Sequence, residues 1–170
     1  MRGYAGKILE VDLSAQSSRE TTIPDDVLRA YLGGRGLGAK ILWDRLGSRW
    51  RSIDPMGPEN LLLFLTGPLT GYFPGGRICV TGKSPQSNGM VGSTVAGEFG
   101  IELKCAGYDG IIFTGASEEP VYVLVFDGQV IFKDASRIWG LNGQEALKTI
   151  TSESRRAVQD LKPSLGELIE

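Results

Sequence analysis

Glycine limits this chain to short strands and helices joined by tight turns. The sequence contains 24 glycines in 170 residues, roughly twice the average usage in globular proteins. They stand between apolar segments rather than gathering into a flexible linker. Such spacing is typical of turns and of places where two backbone segments approach closely. The chain is long enough to bury a hydrophobic core, as one large domain or two small ones.

The apolar segments between the glycines have strand and helix patterns. Strands are predicted at residues 7–13, 19–22, 61–65, 77–81, 110–114, 121–126 and 129–132. Helices are predicted to begin at Pro24, to run over about 37–46 and 101–104, and to begin after Asn142. The pair Asp127-Gly128, between the last two strands, predicts a two-residue hairpin turn.

Two segments of the chain resemble each other, GYAGKI at 3–8 and GYDGII at 107–112. Each opens a succession of strand, turn, strand and helix. A chance match is one explanation, and a duplicated β-β-α unit is the one we favour. We therefore predict an α+β fold with two pseudo-symmetry-related, mostly antiparallel β-sheets and flanking helices.

The composition excludes several kinds of catalytic site. The chain has no histidine, which excludes histidine acid–base catalysis, Ser-His and Cys-His nucleophiles and histidine-ligated metals. Its two cysteines, Cys79 and Cys105, are too few to ligate an iron–sulfur cluster. We expect both to be buried as small hydrophobic residues, and we expect no catalytic residue in this chain.

Charge and hydropathy predict neither a nucleic-acid nor a membrane partner. The formal net charge is -2 and the basic residues are dispersed, whereas nucleic-acid binding requires a concentrated basic face. The longest apolar run, 61–65, is far short of the roughly 20 residues that span a bilayer. The first residues contain no apolar stretch typical of a signal peptide. These features predict a cytoplasmic protein.

Three glycine clusters are candidates for a functional role. Residues 33–38 (GGRGLG) follow a helix rather than a strand, so a helix end and a helix–helix turn explain them better than a dinucleotide loop. In residues 74–77 (PGGR), Arg77 offers donors suited to phosphate or heteroaromatic acceptors, and a surface loop with a salt bridge is the alternative. Residues 84–100 have small side chains. A helix starting near Val95 would form a phosphate site there, and a small-residue packing surface is the alternative.

A series of short motifs connects these clusters. They are LGGRGL at 32–37, GPLTG at 67–71, GGR at 75–77, KSP at 83–85, GEFGIELK at 97–104, AGYD at 106–109 and DASRIWG at 134–140. Their order and spacing resemble those of the aldehyde ferredoxin oxidoreductase family. The resemblance covers about residues 3–155.

The resemblance implies a cofactor-binding role. Family members hold a tungsten or molybdenum ion between two pterin cofactors, next to a [4Fe-4S] cluster, and oxidise aldehydes to carboxylic acids with ferredoxin as the electron acceptor. Their N-terminal domain forms a base of two β-sheets beneath the bis-pterin. The cofactor-binding residues that the resemblance implies are Gly75, Gly76, Arg77, Thr94, Val95, Ala96 and Gly97. It places Arg77 between pterin and cluster, and a Mg²⁺ ion that bridges the pterin phosphates at the backbone of Thr94.

The chain departs from the family in sequence and in extent. Members often have Asn near Thr94 and Gly at Ala96, so we expect backbone contacts to be retained there and side-chain contacts to be lost. We expect residues 1–155 to form the pterin domain and residues 156–170 a polar tail. The cluster ligands and catalytic residues are expected in the remaining domains of a full-length enzyme, of which this chain is a fragment, an excised domain or a truncated product. We also expect self-association, for which a homo-oligomer is one form.

Two alternatives remain open at this point. The first alternative is that the chain belongs to the active-site subunit of an aromatic-acyl-CoA (benzoyl-CoA) reductase of the same family. Residues 39–45 (AKILWDR) resemble the sequence of that subunit. The motif GGR at 75–77 favours the aldehyde branch instead. The second alternative is a non-catalytic, stand-alone binding module.

Overall fold

The computed structural model describes residues 3–72 and 76–161 of the chain. The chain divides after Ser117 into two compact units. The strands are β1 (Lys7–Asp12), β2 (Ser17–Thr22), β3 (Leu62–Leu65), β4 (Arg77–Lys83), β5 (Met90–Ala96), β6 (Gly110–Thr114), β7 (Val121–Phe126) and β8 (Gln129–Asp134). The helices are α1 (Asp25–Tyr31), α2 (Gly34–Leu46), α3 (Phe99–Cys105) and α4 (Gly143–Leu161), with a short 3-10 helix at Gly47–Arg49.

The first unit is built on a six-stranded sheet. Its strand order is β2-β1-β6-β3-β4-β5. β1 and β6 are parallel to each other, and every other neighbouring pair in this sheet is antiparallel. β2 and β5 therefore form its two edges. β5 is largely exposed along its length, which matters for the site described below.

The hydrophobic core of this unit lies between one face of the sheet and helices α1 and α2. Alternate residues of a strand point to the same face, so one set of residues from β1, β3 and β6 meets the apolar sides of the helices. The buried residues of this cluster are Ile8, Ile23, Leu28, Leu37, Leu42, Leu46, Ile53, Leu61, Leu63, Leu65 and Ile112. The core holds the start of α2 close to the ends of β3 and β4.

The second unit contains the antiparallel pair β7–β8 and helix α4. Asp127 and Gly128 both have positive φ, 51° and 77°, as a two-residue hairpin turn of type I′ requires. Asn142 caps α4, because its Oδ1 accepts hydrogen bonds from the N–H groups of Gln144 (3.1 Å) and Glu145 (3.0 Å). The hairpin and the helix start are thus where the sequence predicts them, and α4 continues to Leu161.

The α+β class with two mostly antiparallel sheets and flanking helices is confirmed. The sheets differ in size, with six and two strands, and the two similar segments at 3–8 and 107–112 lead into strands of the same sheet. These strands, β1 and β6, are parallel neighbours. Asp109 links their entry turns, since its carboxylate accepts hydrogen bonds from the N–H groups of Ala5 (3.0 Å) and Gly6 (2.6 Å). The similarity therefore marks matching turns at one end of two adjacent strands.

The two cysteines lie in different environments. Cys79 on β4 is buried, as expected, but the prediction for Cys105 is wrong because its side chain is exposed. Cys105 ends α3, whose inward positions are Gly100 and Leu103. A residue two positions after Leu103 lies on the opposite side of a helix. None of the helices in the described part of the chain combines the length and apolar character needed to cross a membrane.

Candidate functional site

An open groove of about 420 Å³ lies on the first unit, beside β4 and β5. Its residues come from the start of α2, the turn after β3, and the two strands. They are Leu32, Gly33, Gly34, Arg35, Leu65, Thr66, Gly67, Pro68, Arg77, Ile78, Cys79 and Thr94. The groove thus brings together one residue from each of the two predicted cofactor segments, Arg77 and Thr94, with the glycine cluster at the start of α2.

The turn that opens α2 is held against the turn after β3. Gly34 N donates a hydrogen bond to Thr66 O (2.9 Å). Gly33 has a φ of 141°, a conformation that favours glycine, and a Cβ atom at this position would collide with Thr66 O. This close approach of two backbone segments forms one wall of the groove.

The register of β4 and β5 determines which backbone atoms of β5 are free. Gly97 N donates to Gly76 O (3.2 Å) at one end of the pair, and Ser84 N donates to Gly89 O (2.8 Å) at the other. Along an antiparallel pair, residues that exchange hydrogen bonds alternate with residues that do not. The residues of β5 that direct their N–H and C=O groups to the free edge of the sheet are therefore Met90, Gly92, Thr94 and Ala96.

Arg77 lies at the first position of β4, across from Ala96 on β5. Arg77 and Ala96 share a face of the sheet with the pair Cys79 and Thr94, because alternate residues point to the same side. Arg77 is exposed and forms no ion pair with a carboxylate of the described residues. Its guanidinium is therefore available to an anionic ligand beside the free edge of β5.

The other predicted site residues are placed as follows. Gly75 lies outside the described residues. Gly76 is buried, and a Cβ atom added there would come within 2.6 Å of Ile101 Cγ1 and 2.9 Å of Gly97 O. Val95 bonds to β4 through its backbone and points to the opposite face from Thr94. Gly97 follows β5, and its N–H donates a hydrogen bond to the carbonyl oxygen of Gly76.

No helix starts near Val95, so the condition for a phosphate site at a helix N-terminus is not met. Residues 90–96 form the edge strand β5, and the next helix, α3, begins at Phe99. The glycines and small residues of this segment fit a strand that packs against one neighbour and is otherwise exposed. An anion at Thr94 would therefore meet edge N–H groups of a sheet rather than a helix N-terminus.

Sequence reasoning missed three contributors to the groove. The sequence of the cluster 33–38 predicts only a helix end and a helix–helix turn, yet Gly33, Gly34 and Arg35 all line the groove. The Gly67-Pro68 turn and Cys79 also line it. The order of glycine motifs was the available signal, but only the strand order brings these segments together. Within the described residues, no group of three or more His, Cys, Asp or Glu side chains is placed to hold a metal ion.

A second depression, of about 450 Å³, lies beside β1 and β2 and is lined by Glu10, Arg19 and Arg45 among others. Glu10 is buried and accepts hydrogen bonds from Arg45, Arg19 and Thr21. Burial by itself would raise the pKa of Glu10, but these hydrogen bonds outweigh it and lower the pKa to about 2. Both arginines already pair with Glu10. This depression therefore has less unneutralised positive charge for an anionic ligand than the groove beside β5 has.

Comparison with known proteins gives consistent matches. The sequence model of the family described as "Aldehyde ferredoxin oxidoreductase, N-terminal domain" matches residues 8–161. An aliphatic sulfonate oxidoreductase, WOR-like subunit, of Pyrococcus furiosus is 48% identical over 159 residues, covering 94% of this chain and 26% of the relative. A tungsten-containing aldehyde ferredoxin oxidoreductase of Pyrococcus abyssi is 40% identical over 155 residues, covering 90% of this chain and 25% of the relative.

A solved structure agrees with the fold. The active-site complex of a benzoyl-coenzyme A reductase bound to 1,5-dienoyl-CoA matches with a TM-score of 0.84 and 40% sequence identity. The match covers 89% of this chain and 23% of that chain. The chain therefore spans about a quarter of the length of the relatives it matches.

Proposed function

Since the chain belongs to the aldehyde ferredoxin oxidoreductase family and carries that family's N-terminal domain, we propose that it forms the pterin-cofactor base of a tungsten- or molybdenum-dependent oxidoreductase. The reaction we propose for the whole enzyme is the oxidation of an aldehyde to a carboxylic acid, with ferredoxin as the electron acceptor. A bis-pterin complex of tungsten or molybdenum supplies the redox centre of this chemistry when it is bound.

The observation that carries the proposal is the free edge of β5 beside Arg77, which pairs with no carboxylate of the described residues. Thr94 and Ala96 direct their N–H and C=O groups away from β4, and Arg77 lies across from Ala96. Edge N–H groups and a guanidinium suit phosphate and heteroaromatic acceptors, and a backbone carbonyl suits Mg²⁺. The small side chains at these positions let a flat, anionic cofactor approach the backbone.

Each of these groups has a stated role in the proposal. Arg77 would donate hydrogen bonds to the pterin and would offset the negative charge of the pterin and of a [4Fe-4S] cluster. Thr94 would offer its carbonyl oxygen to a Mg²⁺ ion, which would offset the charge of the pterin phosphates. Gly76 and Gly97 hold the ends of β4 and β5 together through the bond from Gly97 N to Gly76 O (3.2 Å). Thr94 and Ala96, which differ from the residues that family members often have, are compatible with these roles because the proposed contacts are made by backbone atoms.

The remaining functions are assigned to other domains. Because the chain spans about a quarter of its relatives' length, we place the cluster ligands, the catalytic residues and the substrate pocket in domains that it does not contain. The chain by itself is then expected to show no aldehyde-dependent reduction of a viologen dye. Turnover by the 170 residues alone would overturn the proposal.

A chimera tests the proposal directly. This chain would replace the matching N-terminal quarter of the Pyrococcus abyssi relative, and the protein would be produced anaerobically with tungstate. Bound tungsten and pterin, together with viologen reduction by aldehydes, are expected for the chimera. Arg77→Ala is expected to lose most of the bound pterin, whereas Arg29→Ala, a change at an exposed arginine of α1, serves as the matched control. A chimera that folds but takes up no pterin would contradict the proposal.

A second candidate function is favoured by one observation. The 40% identity to the benzoyl-coenzyme A reductase structure equals that to the aldehyde-oxidising relative of Pyrococcus abyssi. An aromatic-acyl-CoA reductase subunit is therefore the alternative. A substrate panel containing aldehydes, an aliphatic sulfonate and 1,5-dienoyl-CoA, applied to the full-length protein, separates these reactions. Dye reduction by the dienoyl-CoA and not by aldehydes would select the alternative.

A further inference from the structure

The groove beside β5 contains a second arginine, Arg35. Arg35 lies in the first turn of α2, and its Nη2 donates a hydrogen bond to Gly92 O (2.5 Å). Gly92 is one of the residues of β5 whose carbonyl points to the free edge. A Cβ atom added to Gly92 would come within 2.6 Å of Arg35 Nε and 3.0 Å of its Cγ. The side chain of Arg35 therefore packs against the backbone at Gly92.

This contact leaves most of the guanidinium unused. An arginine offers five N–H donors in a fixed plane, and the bond to Gly92 O uses one nitrogen. Arg35 forms no ion pair with any carboxylate of the described residues. Among the described residues that line the groove, Arg35 and Arg77 are cationic and none is acidic. The groove consequently has an unneutralised positive charge at two places.

The two arginines lie beside different parts of β5, Arg35 near its middle and Arg77 at its last residue. Arg35 bonds to Gly92, and Arg77 lies across from Ala96. Four residues of a strand extend roughly 13 Å at about 3.3 Å per residue. Thr94 lies midway and directs its N–H to the same free edge. A ligand that meets both arginines is therefore elongated, with hydrogen-bond acceptors at both ends.

We propose that Arg35 binds a phosphate group at one end of an elongated phosphorylated ligand whose other end lies at Arg77. The identification of that ligand as a phosphorylated pterin rests on the proposed function. Arg35 is suited to this role because the bond to Gly92 O fixes its guanidinium before the ligand arrives, which lowers the entropic cost of binding. The N–H of Thr94 provides a neighbouring donor for the same phosphate.

The test uses the 170-residue chain with two matched probes, neopterin and neopterin monophosphate, titrated by fluorescence. The wild-type chain is expected to bind the phosphorylated probe about tenfold more tightly, as a charge-assisted pair implies. Arg35→Gln is expected to abolish this preference. Arg77→Gln is expected to weaken the binding of both probes and to retain the preference for the phosphorylated one. Arg29→Gln is the control that changes neither.

A glycine variant separates binding from a loss of structure. In Gly92→Ala the new methyl group displaces Arg35 from the strand, while the atom it meets belongs to a flexible side chain, so the fold is expected to persist. Gly92→Ala is therefore expected to lose the phosphate preference although Arg35 is still present. Retention of the preference by either Arg35→Gln or Gly92→Ala would overturn the inference.

Inorganic phosphate distinguishes this inference from the proposed function. Binding of inorganic phosphate is monitored through the amide signals of Gly92 and Thr94 in NMR spectra. If Arg35→Gln weakens this binding, the result supports the site even where neopterin does not bind. Phosphate binding that Arg35→Gln leaves unchanged refutes the role of Arg35, whatever the chimera shows. Failure of the pterin probes alone would count against the proposed function only.

Discussion

Replacing Glu10 with glutamine is expected to destabilise the first unit, because Glu10 is a buried carboxylate that pairs with two arginines. Glu10 lies on β1 and is 7% exposed. Its two carboxylate oxygens accept hydrogen bonds from Arg19, from Thr21 (2.9 Å) and from Arg45 of α2. The carboxylate thereby joins the edge strand β2 to the helix whose other end lines the groove.

The magnitude follows from the pKa of this carboxyl. Its pKa falls from 4.5 to about 2 in the folded chain, which corresponds to about 3 kcal/mol of stability, since each tenfold change in dissociation is worth ~1.4 kcal/mol. The pKa is lowered on folding, so this stability is complete above pH 4.5 and is lost as the pH falls towards 2. Glutamine keeps an acceptor but not the charge, and it leaves two arginines without their partner.

Urea denaturation of the wild-type chain and of Glu10→Gln, repeated at several pH values, measures the effect. The free energies of unfolding are expected to differ by about 3 kcal/mol at neutral pH, and the difference is expected to disappear on acidification. Glu59→Gln is the control, because Glu59 also pairs with an arginine, Arg49, but both side chains are exposed; its effect should be much smaller. Equal losses in the two variants, or a difference that persists in acid, would refute this reasoning.

Three further predictions concern packing and hydrogen bonding. Gly38→Ala should lower the free energy of unfolding in urea by about 1–3 kcal/mol, because the new methyl group would come within 2.8 Å of Cγ2 of the fully buried Thr81. Asp109→Asn should cost about 3 kcal/mol and speed hydrogen exchange of the N-terminal amides, since the carboxylate accepts two of those N–H groups; unchanged exchange would contradict it. Tyr122 is desolvated and hydrogen-bonded to Glu153, which raises its pKa to about 12. In a spectroscopic titration, Tyr122→Phe should therefore lack the last tyrosine that ionises in the wild-type chain. The stability that Tyr122 adds below pH 10 is lost as the pH rises towards 12.

Local signals in the sequence predicted those elements whose structure is itself local. The β7–β8 hairpin depends on two residues, Asp127 and Gly128, that adopt positive φ readily. Asn142 caps α4 through its own neighbours. β5 was missed because a strand that is exposed on its outer edge has no strict alternation of apolar and polar residues. Val91 and Val95 were its remaining strand signal.

The candidate site could be predicted only in part, for a topological reason. Arg77 and Thr94 were singled out because motifs of known spacing surround them. Arg35 was not, because its contact with Gly92 joins residues 57 positions apart and depends on which strand forms the edge of the sheet. To predict that the backbone N–H and C=O groups of Thr94 are free, one needs the register of β4 and β5, and local sequence patterns do not specify that register.

The parallel pairing of β1 with β6 has a consequence for how this chain folds as it is synthesised. Leu9 and Ile111 are paired across these strands, so the partner of the N-terminal hairpin is made roughly one hundred residues later. Contacts between residues so far apart close large loops, and proteins that depend on them fold slowly. The sheet can grow from β3, β4 and β5 before β6 exists, but β1 and β2 have no neighbour to join until then. Although β1 and β2 are made before the other four strands of this sheet, they are thus among the last to be built into it.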